Sequence, residues 1–359
     1  MVGVVAPALD RNVWSGKRIL LTGHTGFKGS WMALLLEHLG AHVTGFALPP
    51  DTTPNLFDIL SPTLTSHTGD IRHAASFQEI ITATQPEIVI HMAAQPLVRR
   101  SYAEPRRTIE TNVMGTVHLL DALRDVSQLQ VALIVTSDKV YENHEQGVAF
   151  AEDAPLGGRD PYSASKAATE IITRSYAHSF FTARNVPIAC ARAGNVIGGG
   201  DWAADRLIPD LWRAYSSGDR VTLRYPDAVR PWQHVLGAVV GYLMYIQYLL
   251  KHGNDAPLAM NFSPQESTVC SVREVAEQFT RIMGQEVWQE GRADPHFKES
   301  GYLAIDPSLA RATLGWMSAL GVNDAIGWTL DWYKAYRDQK DMREVSLQQV
   351  MHYLRLASD

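Results

Sequence analysis

The fold of this chain is decided by Thr22-Gly-His-Thr-Gly-Phe-Lys-Gly29 (TGHTGFKG), which places three glycines between a predicted strand and a predicted helix. KRILLT (17–22) is the apolar run of a buried strand, and WMALLLEHLG (31–40) has the periodicity of a helix that ends at glycine. Such a turn lets the backbone approach a pyrophosphate, whose charge is stabilised by N–H groups at the helix N-terminus. We therefore predict a dinucleotide site at this turn.

Strands and helices continue to alternate beyond it. Predicted strands cover AHVTGFA (41–47), PEIVIHMA (86–93) and VALIV (131–135), and helical periodicity covers residues 77–85 and 111–124. This alternation predicts parallel strands with right-handed crossovers, and ligands that bind beyond the carboxyl ends of the strands. The predicted fold class is α/β, a doubly wound parallel Rossmann sheet with a smaller C-terminal substrate-binding lobe.

The predicted domain boundaries follow changes in composition. Residues 1–16 are predicted to be an N-terminal tail, and residues 17–192 the NAD-binding Rossmann domain, to which the chain returns around 233–262. Glycine and proline become frequent after residue 192. Residues 193–232 and 263–359 are therefore assigned to the substrate-binding lobe.

The composition restricts the class of protein. The 359 residues are 46% hydrophobic, and the net charge of −6 indicates no general attraction to nucleic acid or to an anionic membrane. The apolar run from Val235 to Leu250 is shorter than the roughly 20 residues that span a bilayer, so it predicts a buried helix. Cys190 and Cys270 lack the spacing of a metal site or a disulfide framework, and no secretory signal is recognisable. A cytoplasmic protein without a metal site is expected.

The cofactor is predicted to be NAD rather than NADP. The segment GFALPP (45–50) has no acidic residue for a ribose 2′-hydroxyl and no arginine for a 2′-phosphate, and the nearest acid is Asp51. Recognition of the ribose therefore stays open. Asp70 and Ile71 are predicted at the adenine edge, and the small residues Ala93 and Ala94 leave room for the cofactor.

A tyrosine and a lysine four residues apart form the first predicted catalytic pair. In Tyr162-Ser-Ala-Ser-Lys166 they begin a helical pattern and share one helix face. A phenol ordinarily has a pKa near 10, so it acts as a base at neutral pH only if a neighbouring cation stabilises the phenolate. Lys166 is suitably placed, and Ser137 adds a hydroxyl at the end of the strand VALIV.

These motifs together resemble the extended short-chain dehydrogenase/reductase family, specifically its nucleotide-sugar epimerases and dehydratases. The resemblance rests on TGHTGFKG, SYAEPRRTIETNVMGT (101–116), TSDKVY (136–141) and YSASK (162–166), and it covers nearly the whole chain. It implies a tightly held NAD. The expected cofactor site is Gly23, Thr25, Gly26, Phe27, Lys28, Gly29, Asp70, Ile71, Ala93, Ala94, Gln95, Asn112, Tyr162 and Lys166.

The resemblance also implies roles for the catalytic residues. Tyr162 would deprotonate the sugar 4-hydroxyl as hydride leaves C4. Lys166 would tune that phenol and bind the nicotinamide ribose, and Ser137 would hydrogen-bond the same sugar oxygen.

The pair Asp138-Lys139 predicts a second reaction. Once C4 is a ketone the C5 proton is acidic, so a base that removes it and an acid that protonates the 6-hydroxyl together expel water. Epimerases of the family typically have small or neutral residues here, and dTDP-glucose dehydratases have Asp-Glu. Asp-Lys resembles the CDP-glucose 4,6-dehydratases, which implies that Asp138 is the acid and Lys139, as a neutral amine, the base. A surface ion pair at a strand end is the alternative.

The C-terminal lobe is predicted to bind the rest of the substrate. RAGNVIGGGDW (192–202) also resembles the CDP-glucose dehydratases, which implies that Asn195 donates to the diphosphate. Arg206 and Arg230 are candidate diphosphate clamps because guanidinium groups match phosphate oxygens, and structural salt bridges are the alternative. Cytidine is inferred from the resemblance alone. Relatives bring a C-terminal loop to the base or ribose at the positions of His296, Glu299 and Tyr302.

The predicted function is a 4,6-dehydratase that acts on CDP-glucose and recycles NAD, in dideoxysugar biosynthesis for lipopolysaccharide O-antigen. A nucleotide-sugar 4-epimerase shares every part except the Asp138-Lys139 pair, and a non-catalytic dinucleotide-binding regulator commonly lacks the Tyr162 and Lys166 pair. Helices near 104–124 and 162–182 carry surplus apolar residues, which relatives pair across a two-fold axis. A homodimer or higher homo-oligomer is therefore expected.

Overall fold

A parallel β-sheet forms the centre of the computed structural model, which describes residues 9–264, 269–291 and 300–358. The described chain has the strands β1 (Arg18–Thr22), β2 (His42–Ala47), β3 (Thr65–Thr68), β4 (Ile88–His91), β5 (Val131–Val135), β6 (Ile188–Ala193), β7 (Val196–Ile197), β8 (Val221–Leu223), β9 (Val229–Arg230), β10 (Gln233–His234), β11 (Ala259–Phe262), β12 (Cys270–Ser271) and β13 (Trp288–Glu290). Its α-helices are α1 (Arg11–Trp14), α2 (Phe27–His38), α3 (Leu56–Leu60), α4 (Ala74–Thr84), α5 (Val98–Ala103), α6 (Pro105–Ile109), α7 (Gly115–Leu123), α8 (Pro161–Tyr176), α9 (Leu207–Ser217), α10 (Val235–His252), α11 (Val272–Met283), α12 (Ser308–Leu314), α13 (Val322–Arg337) and α14 (Met342–Leu356). Short π-helical turns cover Glu110–Met114 and Ala177–Phe181, and 3₁₀ turns cover Asp138–Val140, Thr182–Arg184 and Gly253–Asp255.

The main sheet has the strand order β11-β6-β5-β4-β1-β2-β3, and each neighbouring pair is parallel. The chain runs outward from β1 to β3 and then returns to β4 on the other side of β1. The strand order therefore reverses between β1 and β4, which is where open sheets of this type bind ligands. This topology confirms the predicted α/β class and the doubly wound parallel sheet.

Both faces of the sheet are covered, which explains the continuous apolar runs in its strands. All five residues of β5 are buried. In β1, Ile19 and Leu21 join one hydrophobic cluster, whereas Leu20 joins the cluster on the opposite face. Packing on both faces therefore holds in place the strand ends that carry the predicted catalytic residues.

The C-terminal part of the chain adds three short strand pairs, β7 with β10, β8 with β13 and β9 with β12. It shares one hydrophobic cluster with the sheet, because Ile19 and Trp31 belong to the same cluster as Trp332 and Tyr333. The predicted boundary after residue 192 lies within β6, and the hydrophobic cluster extends across it.

Two segments outside the strands, helix α10 and the N-terminal segment, contribute buried side chains. Helix α10, predicted as a buried helix, packs against α2 and β5 and is buried along most of its length. No helix in the described part of the chain is long and apolar enough to cross a membrane. Within the segment predicted as a tail, residues 11–14 form α1, and Trp14 is fully buried and donates its indole N–H to Gln247 Oε1 at 2.8 Å.

Three buried histidines should make the fold sensitive to acid. Burial lowers the pKa of His24 to about 4 and the pKa values of His91 and His234 to about 3. Unfolded histidine has a pKa of about 6.5, so below that pH the unfolded chain binds more protons than the folded chain. We expect each histidine to lower the free energy of unfolding by about 1.4 kcal/mol per pH unit between about pH 6 and pH 4. Urea denaturation across this range checks the slope, and a constant free energy of unfolding would contradict it.

Candidate active site

A cavity of about 1510 Å³ opens beyond the carboxyl ends of the strands, at the point where the strand order reverses. It runs from the glycine turn after β1, past the segment after β5 and the start of α8, to the C-terminal lobe. Both predicted sites, for dinucleotide and for sugar nucleotide, therefore share one cavity. A volume of this size exceeds that of an ordinary single-ligand pocket, so it suits two large ligands side by side.

The glycine turn between β1 and α2 has no room for a side chain at Gly23 or at Gly29. Gly23 has φ +75°, and a Cβ there would lie 2.7 Å from the backbone nitrogen of Ala93. A Cβ on Gly29 would lie 2.0 Å from the carbonyl oxygen of Gly23. The backbone is therefore exposed to the cavity at the N-terminus of α2, as a pyrophosphate requires.

Replacing Gly29 by alanine should weaken binding of the predicted cofactor. The new methyl group meets backbone rather than a flexible side chain, so the turn must shift. Overpacking typically costs about 1–3 kcal/mol, which corresponds to about 10–100-fold in affinity if it distorts the bound turn. Calorimetric titration with NAD measures the change. Gly327→Ala is the matched control, because nothing lies within 4 Å of a Cβ at that position in α13. Equal NAD affinities of the two variants would contradict the assignment.

An arginine that the sequence did not indicate lies at the end of the cavity where Asp70 and Ile71 are predicted to meet the adenine. Arg72 lies on the cavity wall with Leu48 and Asp51, and its guanidinium binds Asp70 through Nε at 3.0 Å from each carboxylate oxygen. These hydrogen bonds lower the pKa of Asp70. Arg72 follows β3 but lines the same cavity as the residues that follow β2. The absence of arginine from residues 45–50 therefore did not exclude a positive charge from this part of the cavity.

The remaining predicted cofactor residues divide into two groups. Asn112 does not line the cavity; it is buried, accepts the backbone N–H of Gln95 at 2.8 Å and donates to Ser165 Oγ at 2.8 Å. It lies in the π-helical turn 110–114, a kind of irregularity that often occurs at functional sites. Asn112 therefore holds a cavity-lining loop against α8. The predicted residues on the wall are Gly23, Thr25, Gly26, Phe27, Lys28, Gly29, Asp70, Ile71, Ala93, Ala94, Gln95, Tyr162 and Lys166.

Lys28, within the glycine turn, contacts a residue that the sequence did not single out. Its amine donates to the hydroxyl of Tyr242 in α10 at 3.3 Å. Burial, with smaller effects from Lys166 and Arg206, lowers the pKa of Lys28 to about 7. The turn thus contributes a cation that can lose its proton near neutral pH.

Helix α8 presents the tyrosine and lysine to the cavity. Asp160 caps the helix by accepting the N–H of Ser163 at 2.9 Å, and Pro161 occupies its first position. Lys166 donates to the carbonyl of Val135 at 3.1 Å, which ties the helix to the end of β5. Helix α8 and the end of β5 therefore meet where the predicted oxidation at C4 would occur.

Burial moves the pKa values of these two groups in opposite directions. It raises the pKa of Tyr162 to about 12, while a hydrogen bond with Ser137 acts to lower it. It lowers the pKa of Lys166 to about 8, and Cys190 and Glu170 act to raise it. Desolvation disfavours the charged form of each group. A phenolate at this site therefore depends on the hydrogen bond with Ser137 and on the positive charge of Arg206, which also acts to lower the pKa of Tyr162.

Ser137, Asp138 and Lys139 also line the cavity. Asp138 Oδ1 accepts from Ser137 Oγ at 2.8 Å and from Lys139 Nζ at 3.2 Å. The Asp138 side chain is 1% exposed and that of Lys139 is 26% exposed. Asp138 Oδ2 is buried without a hydrogen-bond partner among the described residues, and a Cβ on Gly194 would lie 3.3 Å from it. The dipeptide thus forms an acid–amine pair at the cavity and not in bulk solvent.

The C-terminal lobe supplies the opposite wall. Asn195, Arg206 and Arg230 line it, and Arg206 is bound to Asp201 Oδ2 at 2.8 Å. Arg206 therefore forms a structural salt bridge, which was the alternative to a diphosphate clamp, and it also lines the cavity. Tyr302 is not among the lining residues; its backbone N–H donates to Glu145 Oε2 at 3.2 Å. His296 and Glu299 lie outside the described residues.

The chain is similar in sequence to nucleotide-sugar dehydratases. The family model described as GDP-mannose 4,6 dehydratase matches residues 20–328. The CDP-glucose 4,6-dehydratase of Salmonella typhimurium is 42% identical over 355 residues, which cover 96% of this chain and 98% of that protein. The dTDP-glucose 4,6-dehydratase of Xanthomonas campestris pv. campestris is 27% identical over 285 residues, which cover 74% of this chain and 77% of that protein.

Solved structures agree in fold. DesIV, a dTDP-glucose 4,6-dehydratase from Streptomyces venezuelae crystallised as a double mutant with NAD and DAU bound, has a TM-score of 0.78 at 23% identity, covering 90% of this chain and 99% of that chain. The UDP-glucose-4-epimerase of Stenotrophomonas maltophila, with bound NAD and formylated UDP-arabinopyranose, has a TM-score of 0.77 at 21% identity, covering 90% of this chain and 99% of that chain. At these identities the structural similarity establishes the fold and does not identify the reaction.

Proposed function

Because the chain belongs to the GDP-mannose 4,6 dehydratase family, we propose that it is a CDP-glucose 4,6-dehydratase. This lyase would convert CDP-D-glucose to CDP-4-dehydro-6-deoxy-D-glucose and water, with NAD regenerated in each cycle. The observation that carries the proposal is the placement of Asp138 and Lys139 on the same cavity wall as Tyr162 and Lys166. The 42% identity with a CDP-glucose 4,6-dehydratase supports the choice of reaction and of nucleotide.

The glycine turn fits NAD, because Cβ atoms at Gly23 and Gly29 would collide with the backbone of Ala93 and of Gly23, and only glycine lets the turn pack this tightly at the N-terminus of α2, where a pyrophosphate would bind. When bound, NAD supplies the acceptor for the C4 hydride and the donor that returns it to C6. Tyr162 would take the proton of the 4-hydroxyl, and Ser137 would orient that oxygen. The ammonium group of Lys166, tied to the end of β5, would stabilise the phenolate.

Elimination needs a protonated acid and an unprotonated base beside the sugar at the same time. Asp138 and Lys139 form an ion pair at 3.2 Å. Transfer of one proton along this contact turns a carboxylate and an ammonium into a carboxylic acid and an amine. The acid can then protonate the 6-hydroxyl and the amine can remove the C5 proton. After water leaves, the pair is again a carboxylate and an ammonium. When hydride returns to C6, the ammonium would give its proton back to C5, which leaves the pair one proton short. The proton that Tyr162 took from the 4-hydroxyl replaces it before the next cycle.

Incubation with CDP-glucose and NAD tests the proposal. We expect the alkali-induced chromophore of a 4-keto sugar. CDP-galactose as the product would instead establish a 4-epimerase, and binding of NAD without turnover of any nucleotide hexose would indicate a regulator. Parallel reactions with dTDP-glucose, UDP-glucose and GDP-mannose test the nucleotide, and faster turnover of any of these would overturn the choice of cytidine.

We also propose that the chain forms a homodimer through one apolar surface. The exposed hydrophobic side chains Ile109, Met114, Ile171 and Phe180 belong to α6, α8 and the two π-helical turns that follow these helices. These elements coincide with the helices predicted to pair across a two-fold axis. Exposed apolar side chains grouped in this way favour a protein partner over solvent.

Sedimentation equilibrium should give twice the chain mass of 39.8 kDa at micromolar concentration. Ile171→Asp should shift the protein toward the monomer, because a charge would be buried in an apolar interface. Met317→Asp is the matched control, since Met317 and Ile171 are both 57% exposed. A native protein that sediments only as a monomer would contradict the dimer.

Further assignments rest on the sequence. A cytoplasmic location is supported by two free cysteines, of which Cys190 is buried and Cys270 half-buried. A role in dideoxysugar biosynthesis for O-antigen rests on the family resemblance alone.

A further inference from the structure

One fully buried ion pair lies beneath the active site and is not explained by the proposed chemistry. Glu170 of α8 and Arg192 of β6 are both 0% exposed, and neither lines the cavity. Arg192 Nε donates to Glu170 Oε1 at 2.8 Å and to Oε2 at 3.0 Å, and a second guanidinium nitrogen also contacts the carboxylate. The carboxylate is thus held in a two-pronged contact that fixes its orientation as well as its position.

This pair is connected to both ends of the segment that carries Asp138 and Lys139. Thr136, just before the segment, donates to Glu170 Oε1 at 2.6 Å. Tyr141, just after it, accepts from Arg192 Nη1 at 2.6 Å. Thr136 and Tyr141 both line the cavity, so the network acts on residues that reach the ligand space.

The same pair is connected to the helix that carries the other catalytic residues. Tyr162, Lys166 and Glu170 are spaced by four residues and therefore share one face of α8. Arg192 also donates to the backbone carbonyl of Glu152 at 3.1 Å, and Tyr141 donates to Asn261 Oδ1 in β11 at 2.7 Å. One buried network thus joins α8, the segment after β5, and strands β6 and β11.

Stability alone does not account for such an arrangement. A buried ion pair costs desolvation that its attraction barely repays, and replacing both partners with apolar residues of similar volume is often neutral or stabilising. Unlike an apolar contact, the ion pair makes hydrogen bonds that hold their partners in a defined orientation. It orients Thr136 and Tyr141, and through them Asp138 and Lys139, relative to Tyr162.

We propose that Glu170 and Arg192 are positioning residues that align the elimination pair, Asp138 and Lys139, with the oxidation pair, Tyr162 and Lys166. The inference rests on the proposed dehydratase function and extends it to residues outside the cavity. Helix α8 keeps other ties, such as Thr169 Oγ1 to the carbonyl of Asn112 at 3.0 Å. Loss of the network therefore disturbs the Asp138 segment more than the helix, and slows elimination more than oxidation.

The test uses the double variant E170M/R192M, which replaces the pair with apolar side chains of similar length. The expected result is a folded protein with a thermal midpoint near that of the wild type, a KM for CDP-glucose within about threefold, and a kcat lower by about 100-fold, the loss typical of a misplacement of about 1 Å. Enzyme-bound NADH should accumulate during turnover, because oxidation outpaces elimination. Wild-type kcat in the folded double variant, or a lower kcat without accumulation of NADH, would overturn the proposal.

A second comparison decides the question if the double variant does not fold. Thr136→Val removes one hydrogen bond to Glu170, whereas Thr173→Val makes the same change at a buried threonine of α8 whose hydroxyl donates to the carbonyl of Thr169 and not to Glu170. We expect kcat to fall about 5–10-fold for Thr136→Val, roughly the loss of one hydrogen bond of about 1 kcal/mol, and to stay unchanged for Thr173→Val. Equal kcat values would overturn the proposal. A wild type that forms no 4-keto product would instead refute the proposed function, so the two failures are distinguishable.

Discussion

Asp138→Asn should lower turnover of CDP-glucose by about 10²–10⁴-fold, the range for loss of a general acid or base, while reduced cofactor accumulates on the protein. The amide keeps the shape of the carboxylate and still accepts from Ser137 and Lys139 through its oxygen. It cannot receive the proton of Lys139, so it cannot become the acid that protonates the 6-hydroxyl. C4 oxidation uses Tyr162 and Lys166 and should continue.

A stability cost should accompany this substitution. The amide NH₂ would take the place of Asp138 Oδ2, which is buried without a hydrogen-bond partner among the described residues. An unsatisfied buried donor costs about 1–3 kcal/mol, so the thermal midpoint should fall as well. Measuring kcat well below that midpoint separates the two effects.

Rapid mixing with CDP-glucose, followed by absorbance of the reduced nicotinamide, measures oxidation separately from release of the 4-keto product. Asp331→Asn is the control, because the Asp331 side chain on α13 is 72% exposed and lies far along the chain from the cavity residues. Loss of oxidation and of product formation to the same extent in Asp138→Asn would contradict the assigned role of Asp138.

Tyr162→Phe should lower turnover by a similar factor, about 10²–10⁴-fold, but without accumulation of reduced cofactor. Phenylalanine preserves the packing of a ring that is 8% exposed and removes only the hydroxyl. Without that hydroxyl nothing at this position accepts the proton of the 4-hydroxyl, so the first step fails. The thermal midpoint should change little, because no cavity is created.

The two variants together distinguish the roles of the two pairs. The same rapid-mixing experiment applies, and Tyr176→Phe is the control on the same helix, where the hydroxyl contacts only Asp121 at 3.2 Å among the described side chains. Reduced cofactor formed by Tyr162→Phe at the wild-type rate would show that another group accepts the proton. Lys28, whose pKa burial lowers to about 7, would then be the first candidate.

The sequence predicted those features that local chemistry determines. Apolar runs such as VALIV (131–135) become strands because both faces of the sheet are covered. Glycines between β1 and α2 mark a turn where a side chain would meet backbone. Strand β3, by contrast, was not predicted, because the residues of TSHT (65–68) are all exposed and carry no apolar pattern.

The predicted catalytic residues could be selected from the sequence because each group lies within one element or at the end of one strand. Tyr162 and Lys166 are four residues apart on α8, and Ser137, Asp138 and Lys139 follow β5 directly. Asn112 was assigned to the cofactor, but its amide holds the loop of Gln95 instead. The resemblance that suggested it carries no information about which way a side chain points.

The alternation of strands and helices, the glycine turn and the spacing within the predicted catalytic pairs are consequences of periodicity and local sequence, so the sequence by itself determined them. Only the tertiary structure decided which distant groups meet: Arg72 on the same cavity wall as Leu48, Tyr242 beside Lys28, and Glu170 with Arg192. These contacts depend on the order in which strands pair and on which helix covers them. A residue pattern records the burial of a side chain, but the partner of a buried charge is set by the packing of elements that are far apart in the chain.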